Sequence, residues 1–288
     1  MDIVLTGLPR SGTTLACHLL NKCPNIVALH EPMPVWEFKD LPPDGRLWRV
    51  GEFFSNQRRS LLETGTGLSK IHEGRVPTNS FEPTNADGLP RKSICNLSMM
   101  HVGKPLAQDF TLVIKHPGYF TADLQWLRGR FPCFATIRNP LSVLLSWNTT
   151  SIKVHAGRLP MAESFAPDLR AALDREPDAL LRQIAILDWC FSQYARWLPA
   201  ENVLRYEDTI ASGGKTLSVL AKEADNLDER LSSENRNNLY DWRTARPLAE
   251  ALITRRGAYL EFYGSEEILG LLDGENSQTA INFPSSSK

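Results

Sequence analysis

With 288 residues, 42% of them hydrophobic, the chain is long enough for one large core and short for two typical domains. Its formal net charge of −1 excludes the broad basic footprint of a nucleic-acid-binding protein, so any anion site must be local. Five scattered cysteines (Cys17, Cys23, Cys95, Cys133, Cys190) contain no CxxC pair, which excludes a disulfide frame or zinc centre and reads as buried thiols in a reducing compartment. No apolar run reaches membrane-spanning length and no leader-like segment precedes Asp2, so a cytoplasmic protein with no membrane span is expected.

The first run, DIVLTG, is short, apolar and closed by Gly7, the pattern of a buried strand. Gly7-Leu-Pro-Arg-Ser-Gly12-Thr-Thr follows with the glycine spacing of a phosphate-binding loop. Thr13 stands where a nucleoside-triphosphate-splitting enzyme has its lysine, and the basic residue is Arg10, inside the loop. From Ser11 onward Leu15, Ala16, Leu19, Leu20 and Cys23 recur at helical spacing until Pro24. A strand, glycine loop and helix in that order aim backbone N–H groups and a helix dipole at one anion. Ser11, Thr13 and Thr14 add hydroxyl donors and Arg10 a planar cation.

NIVALHEP predicts a second strand ending at His30-Glu31. Residues 33–109 then break the rhythm; they are rich in Pro, Gly, Ser and Arg, with one helix near Glu52–Thr64. They read as an insertion roofing the substrate side, with Trp36, Trp48, Phe53 and Phe54 expected in the core. FTLVIKHP and PCFATIRNP are two more strands, ending in Lys115-His116 and Arg138 and each followed by proline. Asn139 suits a helix N-cap and Pro140 the first helical position, so a helix should run through LSVLLSWNTT. Arg138 then sits beside that N-terminus, with Ser142 and Ser146 one turn apart on one face, a second place for an anion. Leu180, Ile184, Leu187, Phe191, Tyr194 and Leu198 form one stripe of a long core helix, and ENVLRYED is a fifth strand.

Strands alternating with helices predict an α/β, three-layer fold whose central sheet is mostly parallel and flanked by helices. Residues 1–270 should form one domain, with residues 271–288 a flexible tail. Ligands of such sheets bind beyond the carboxyl ends of the strands, where the loops above converge.

The stretch GLPRSGTTLACHLL (7–20) resembles the loop that binds the 5′-phosphosulfate in sulfotransferases using 3′-phosphoadenosine-5′-phosphosulfate (PAPS). IRNPLSVLLSW (137–147) resembles their 3′-phosphate motif, an arginine followed eight residues later by a serine, and NVLRYEDTI (202–210) their late strand. The Arg10 form of the loop is similar to the tyrosylprotein and carbohydrate branches, whereas Leu15 departs from the tryptophan that often follows the two threonines. The resemblance implies a P-loop fold and transfer of a sulfonate group from PAPS to a hydroxyl or amine acceptor. The product would be 3′,5′-bisphosphoadenosine, and no metal would be required.

The resemblance also implies roles. Glu31 is the first candidate for general base and His116 its rival; Lys115 contacts the sulfonyl oxygens and Arg10 the bridging oxygen. Arg10, Ser11, Gly12, Thr13 and Thr14 hold the 5′ end of the donor, Arg138 and Ser146 its 3′-phosphate, and Tyr206 touches the adenine. Two other readings stand beside this one: a P-loop kinase of a small metabolite using ATP and Mg²⁺, for which Asp208 is the available carboxylate, and a non-catalytic nucleotide-binding protein. The acceptor is of unknown class, with carbohydrate, lipid, small metabolite and peptide tyrosine all open, and the oligomeric state is not readable.

Overall fold

The computed structural model describes residues 1–84 and 89–273. In chain order the elements are β1 (Asp2–Gly7), α1 (Thr13–Leu20), β2 (Ile26–His30), α2 (Pro43–Thr64), β3 (Thr66–Ile71), β4 (Asn96–His101) and β5 (Thr111–Lys115). There follow α3 (Pro117–Ala122), α4 (Leu124–Leu127), β6 (Cys133–Ile137), α5 (Pro140–Trp147), α6 (Pro160–Glu163), α7 (Pro167–Arg175) and α8 (Ala179–Trp197). The described chain closes with β7 (Val203–Arg205), α9 (Tyr206–Ala211), α10 (Ala245–Arg255) and α11 (Ser265–Leu269). From residue 274 on, the predicted flexible tail lies outside the described residues.

Five strands form the predicted parallel sheet, in the order β2-β5-β1-β6-β7. Every residue of β2, β5 and β6 is buried, because helices cover both faces; this is why these strands are near-continuous apolar runs. The register sets His30 beside Lys115 and Gly7 beside Thr136, so the functional strand ends share one edge. After β1 the chain turns toward β2, on one side of the sheet; after β6 it turns toward β7, on the other. A crevice therefore opens between the carboxyl ends of β1 and β6, the topological switch point at which α/β sheets bind ligands.

The segment 33–109 is more ordered than its composition suggests. The predicted short helix is a 22-residue one that starts at Pro43 and is closed by Gly65 at φ 68°. Arg46 fastens it by two bonds of 2.7 Å to Asp123. An unpredicted antiparallel pair, β3 and β4, follows; Ser69 Oγ accepts the His30 N–H at 2.9 Å and seats β3 against β2. Two core expectations are corrected: Trp36 and Trp48 are 52% and 55% exposed. In α2 the side chains of Val50, Phe54 and Leu61 take the inward stripe and leave Trp48 outside. In the single turn Val35–Phe38 the two ends are buried and Trp36 projects.

All five cysteines are free, but Cys95 is only partly buried, against expectation. The helix after Arg138 stops at Trp147, because the Thr149 and Thr150 hydroxyls donate back to the Ser146 and Trp147 carbonyls. Among the described residues no helix is long and apolar enough to cross a membrane.

Candidate functional site

The glycine loop is rigid for identifiable reasons. Gly7 (φ 149°) and Gly12 (φ 88°) lie in the region that disfavours side chains. A Cβ at Gly7 would fall 2.4 Å from Thr136 O, and one at Gly12 2.8 Å from the Tyr206 ring. The Trp147 indole N–H donates to Pro9 O at 2.8 Å, tying the loop to α5. Ser11 corrects the sequence reading. Its side chain is fully buried and its hydroxyl lies 2.8 Å from both Leu8 O and Thr136 O, so it pins the loop to β6 and does not reach the cavity. Gly12, Thr13 and Thr14 do line the cavity, and no side chain among the described residues caps α1 at its N-terminus.

The two predicted anion positions are in direct contact. Arg138, 3% exposed, donates from Nη1 to the Arg10 carbonyl at 3.1 Å, from Nε to Asn235 Oδ1 at 2.7 Å and from Nη2 to Tyr240 OH at 3.1 Å. Arg10 donates to Ser146 Oγ at 3.1 Å and Asn79 Oδ1 at 2.9 Å. The pairing therefore differs from expectation: Ser146 serves Arg10, Ser142 donates to the Asn235 carbonyl, and both serines are fully buried behind the cavity wall. Tyr206 lines the cavity, but its ring lies against Gly12 with the Arg138 guanidinium 4.6 Å from its centre. Burial, then Arg91 and Arg138, lower the Arg10 guanidinium to about 10, so it stays charged at neutral pH.

Glu31 leaves β2 with φ 46°, its N–H bonded to Lys115 O at 2.9 Å. Its carboxylate is clamped, with Oε1 2.8 Å from Lys115 Nζ and Oε2 2.7 Å from Lys70 Nζ. His30 Nε2 lies 3.4 Å from Oε1. Burial opposes the charge, but Lys115, the His30 bond and Lys70 outweigh it and hold the carboxyl well below the usual range. Lys115 and His116 both line the cavity although they are consecutive, because the strand ends at Lys115 and its alternation ends with it. His116 Nε2 accepts the Met33 N–H at 3.3 Å, and burial pushes the ring down to about 3. Its lone pair is engaged, which disfavours it as the base. His30, pushed by burial to about 4, keeps a buried Nδ1 without a partner among the described residues.

These groups surround one cavity of about 790 Å³. Among the described residues eight cationic side chains line it (Arg10, Lys70, Arg91, Lys115, Arg138, Lys153, Arg158, Arg230) against two carboxylates, Glu31 and Glu234. Even with Arg158 paired to Glu163 and Asp174 outside it, the cavity favours anions although the whole chain is near neutral. Asp208, the carboxylate of the kinase reading, is exposed and does not line it. Glu207 instead accepts the Asn139 and Asn235 N–H groups and holds the Arg138 surroundings together. Lys70, Asn79, Arg91, Asn235 and Tyr240 were missed from sequence. The first three lie in a segment with no readable pattern, the others in a polar stretch (SSENRNNLYDW) whose spacing marks nothing.

No known protein family and no curated protein sequence matches the chain. Among solved structures, a sulfotransferase of Mycobacterium tuberculosis aligns over 95% of this chain and 76% of its own, with 15% identity and a TM-score of 0.30.

Proposed function

We propose that the chain is a sulfotransferase that moves a sulfonate group from PAPS to a hydroxyl or amine acceptor. The observation that carries this reading is the 3.1 Å contact between Arg138 and the glycine loop on the wall of one cation-lined cavity. A donor with two separated oxyanions needs two such holds on one crevice. The cavity's volume suits a nucleotide, falling within the roughly 300–1,000 Å³ of small-molecule sites. The first-turn N–H groups of α1 with Arg10 would hold the 5′ end and Arg138 the 3′-phosphate, and the donor itself would supply the sulfonate.

Lys115 would stabilise charge on the sulfonyl oxygens, and Glu31 would take the acceptor proton. A carboxylate clamped by two lysines is a weak base, so in this reading the acceptor displaces Lys70 and the sulfonate draws Lys115 away, leaving Glu31 more basic when it is needed. From residues 33–109, Trp36 and Lys70 line the cavity and would face the acceptor, whereas Phe81 lies against the Arg10 guanidinium, 4.7 Å from ring centre to Cζ.

The test is a thermal shift with 3′,5′-bisphosphoadenosine against ATP plus Mg²⁺. A ligand at a hundredfold excess over its Kd adds about 2.7 kcal/mol, several degrees in Tm. The bisphosphate should give the larger shift; a shift with ATP and Mg²⁺ alone overturns the proposal. A non-catalytic binding protein is the second reading, favoured by the clamping of Glu31 and the engagement of His116 Nε2. Bisphosphate binding without sulfate transfer across a broad acceptor panel would select it.

A further inference from the structure

Three guanidiniums crowd one end of the cavity, and none of them is paired with a carboxylate among the described residues. Arg10 is held by Ser146 and Asn79, and Arg138 by Asn235, Tyr240 and the Arg10 carbonyl. Arg91 donates to Thr149 Oγ1 at 2.8 Å and to the Glu82 carbonyl at 3.3 Å. Every acceptor is neutral. Glu234 is within Coulomb range of Arg91 and contributes one negative charge, although its carboxylate bonds to Asn237 and to none of the three guanidiniums.

Arg91 belongs to neither motif. It comes from the segment 33–109, is 3% exposed, lines the cavity, and its buried Nε has no partner among the described residues. Its N–H donates to Thr149 O at 2.9 Å and its carbonyl accepts from Ser151 N at 3.0 Å, strapping the segment onto the turn after α5. Thr149 in turn donates from N and Oγ1 to Ser146 O at 3.2 and 2.8 Å. Arg10 therefore grips one end of this turn, at Ser146, and Arg91 the other, at Thr149.

Buried like charges repel, and a buried charge without a counter-ion is costly. The carboxyl end of α5 offers about half a negative charge and Glu234 one, which together do not balance three cations among the described residues. An anionic ligand would supply the rest. We propose that Arg91 is the third ligand-binding guanidinium of this cavity, and that Arg10, Arg91 and Arg138 together take a phosphate- or sulfate-bearing ligand with at least two negative charges at the cavity end they line. This rests on reading the cavity as a nucleotide site, but not on which nucleotide fills it. It makes the segment 33–109 part of the donor site as well as the acceptor roof.

The experiment measures binding of 3′,5′-bisphosphoadenosine, adenosine 5′-phosphate and ATP with Mg²⁺ to the wild type, Arg91→Met and Arg91→Lys by calorimetry. The most highly charged probe that binds wild type should lose about 10- to 100-fold with Arg91→Met, recover in part with Arg91→Lys, and show a shallower salt dependence, while the monophosphate loses less. Equal binding by Arg91→Met and wild type would reduce Arg91 to a strap on the turn and overturn the inference. Arg91-dependent binding of ATP with Mg²⁺ alone supports the inference and overturns the proposed function instead. Failure of all three probes on wild type overturns both. Should Arg91→Met fail to fold, Arg91→Lys decides, since it keeps the charge but loses the planar fork: unchanged affinity refutes a guanidinium role, and a severalfold loss supports it.

Discussion

Glu31 is where the proposed chemistry can be tested on single side chains. Its left-handed backbone aims the carboxylate between Lys70, on β3, and Lys115, at the end of β5. Glu31→Gln should lower kcat by about 10²–10⁴, the usual contribution of a positioned base. Affinity for 3′,5′-bisphosphoadenosine should be unchanged or tighter, because the amide leaves both lysines without a counter-charge in an anion site. A Glu31→Gln enzyme with wild-type kcat removes Glu31 from the mechanism. Lys70 makes a separable prediction. It helps hold the Glu31 carboxyl down in the free enzyme, so Lys70→Met should let that carboxyl rise and move the acid limb of the kcat/KM profile to higher pH. An unmoved acid limb would mean that another group sets it.

At the scale of elements, the strand–loop–helix unit at the N-terminus depends on two glycines for which no other residue substitutes. Gly12→Ala should destabilise the chain by about 1–3 kcal/mol, from the strained φ of 88° and from the new Cβ meeting Tyr206, and should abolish the bisphosphate-induced thermal shift. Denaturant unfolding of both proteins checks the first part; equal stability would mean that the loop is not held as described. This unit was legible because its signals are local: an apolar run, two glycines at fixed spacing, then helical periodicity. The same holds for β2, β5 and β6, whose burial on both faces leaves continuous apolar runs, and for Asn139, whose side chain accepts the Leu141 N–H as a cap should. What was not legible depends on distant partners. β3 buries Gly67 and Ser69 on its inner face beside Ile71, and β4 is mostly exposed, so neither carries the apolar pattern that marks a strand. Ser11 turns inward because Thr136, 125 positions away, satisfies it. Arg91 and Asn235 join the site through partners 58 and 97 positions distant, which no spacing rule reaches.

At the scale of the whole molecule, a near-neutral chain gathers its titratable groups at one edge of the sheet, and this should govern how stability depends on pH. Burial pushes His30 and His116 to about 4 and about 3, below their ordinary 6.5. The unfolded chain therefore binds their protons first as pH falls, so their contribution is fully present above 6.5 and is lost progressively toward 4 and 3. Glu31 has the same sign: its carboxyl is held well below 4.5, so its contribution is present above that value and lost in stronger acid. Acidification thus weakens the fold in two stages, histidines first and the carboxylate later. Urea unfolding between pH 4.5 and 8 should show stability level above about 7 and falling below 6.5, with each buried histidine adding up to about 1.4 kcal/mol per pH unit. His116→Gln, whose amide oxygen can still accept the Met33 N–H, should flatten this slope by about one proton's worth. A slope that His116→Gln does not change would mean that the ring protonates freely in the folded chain, and the wall it forms beside Lys115 would then be open to water.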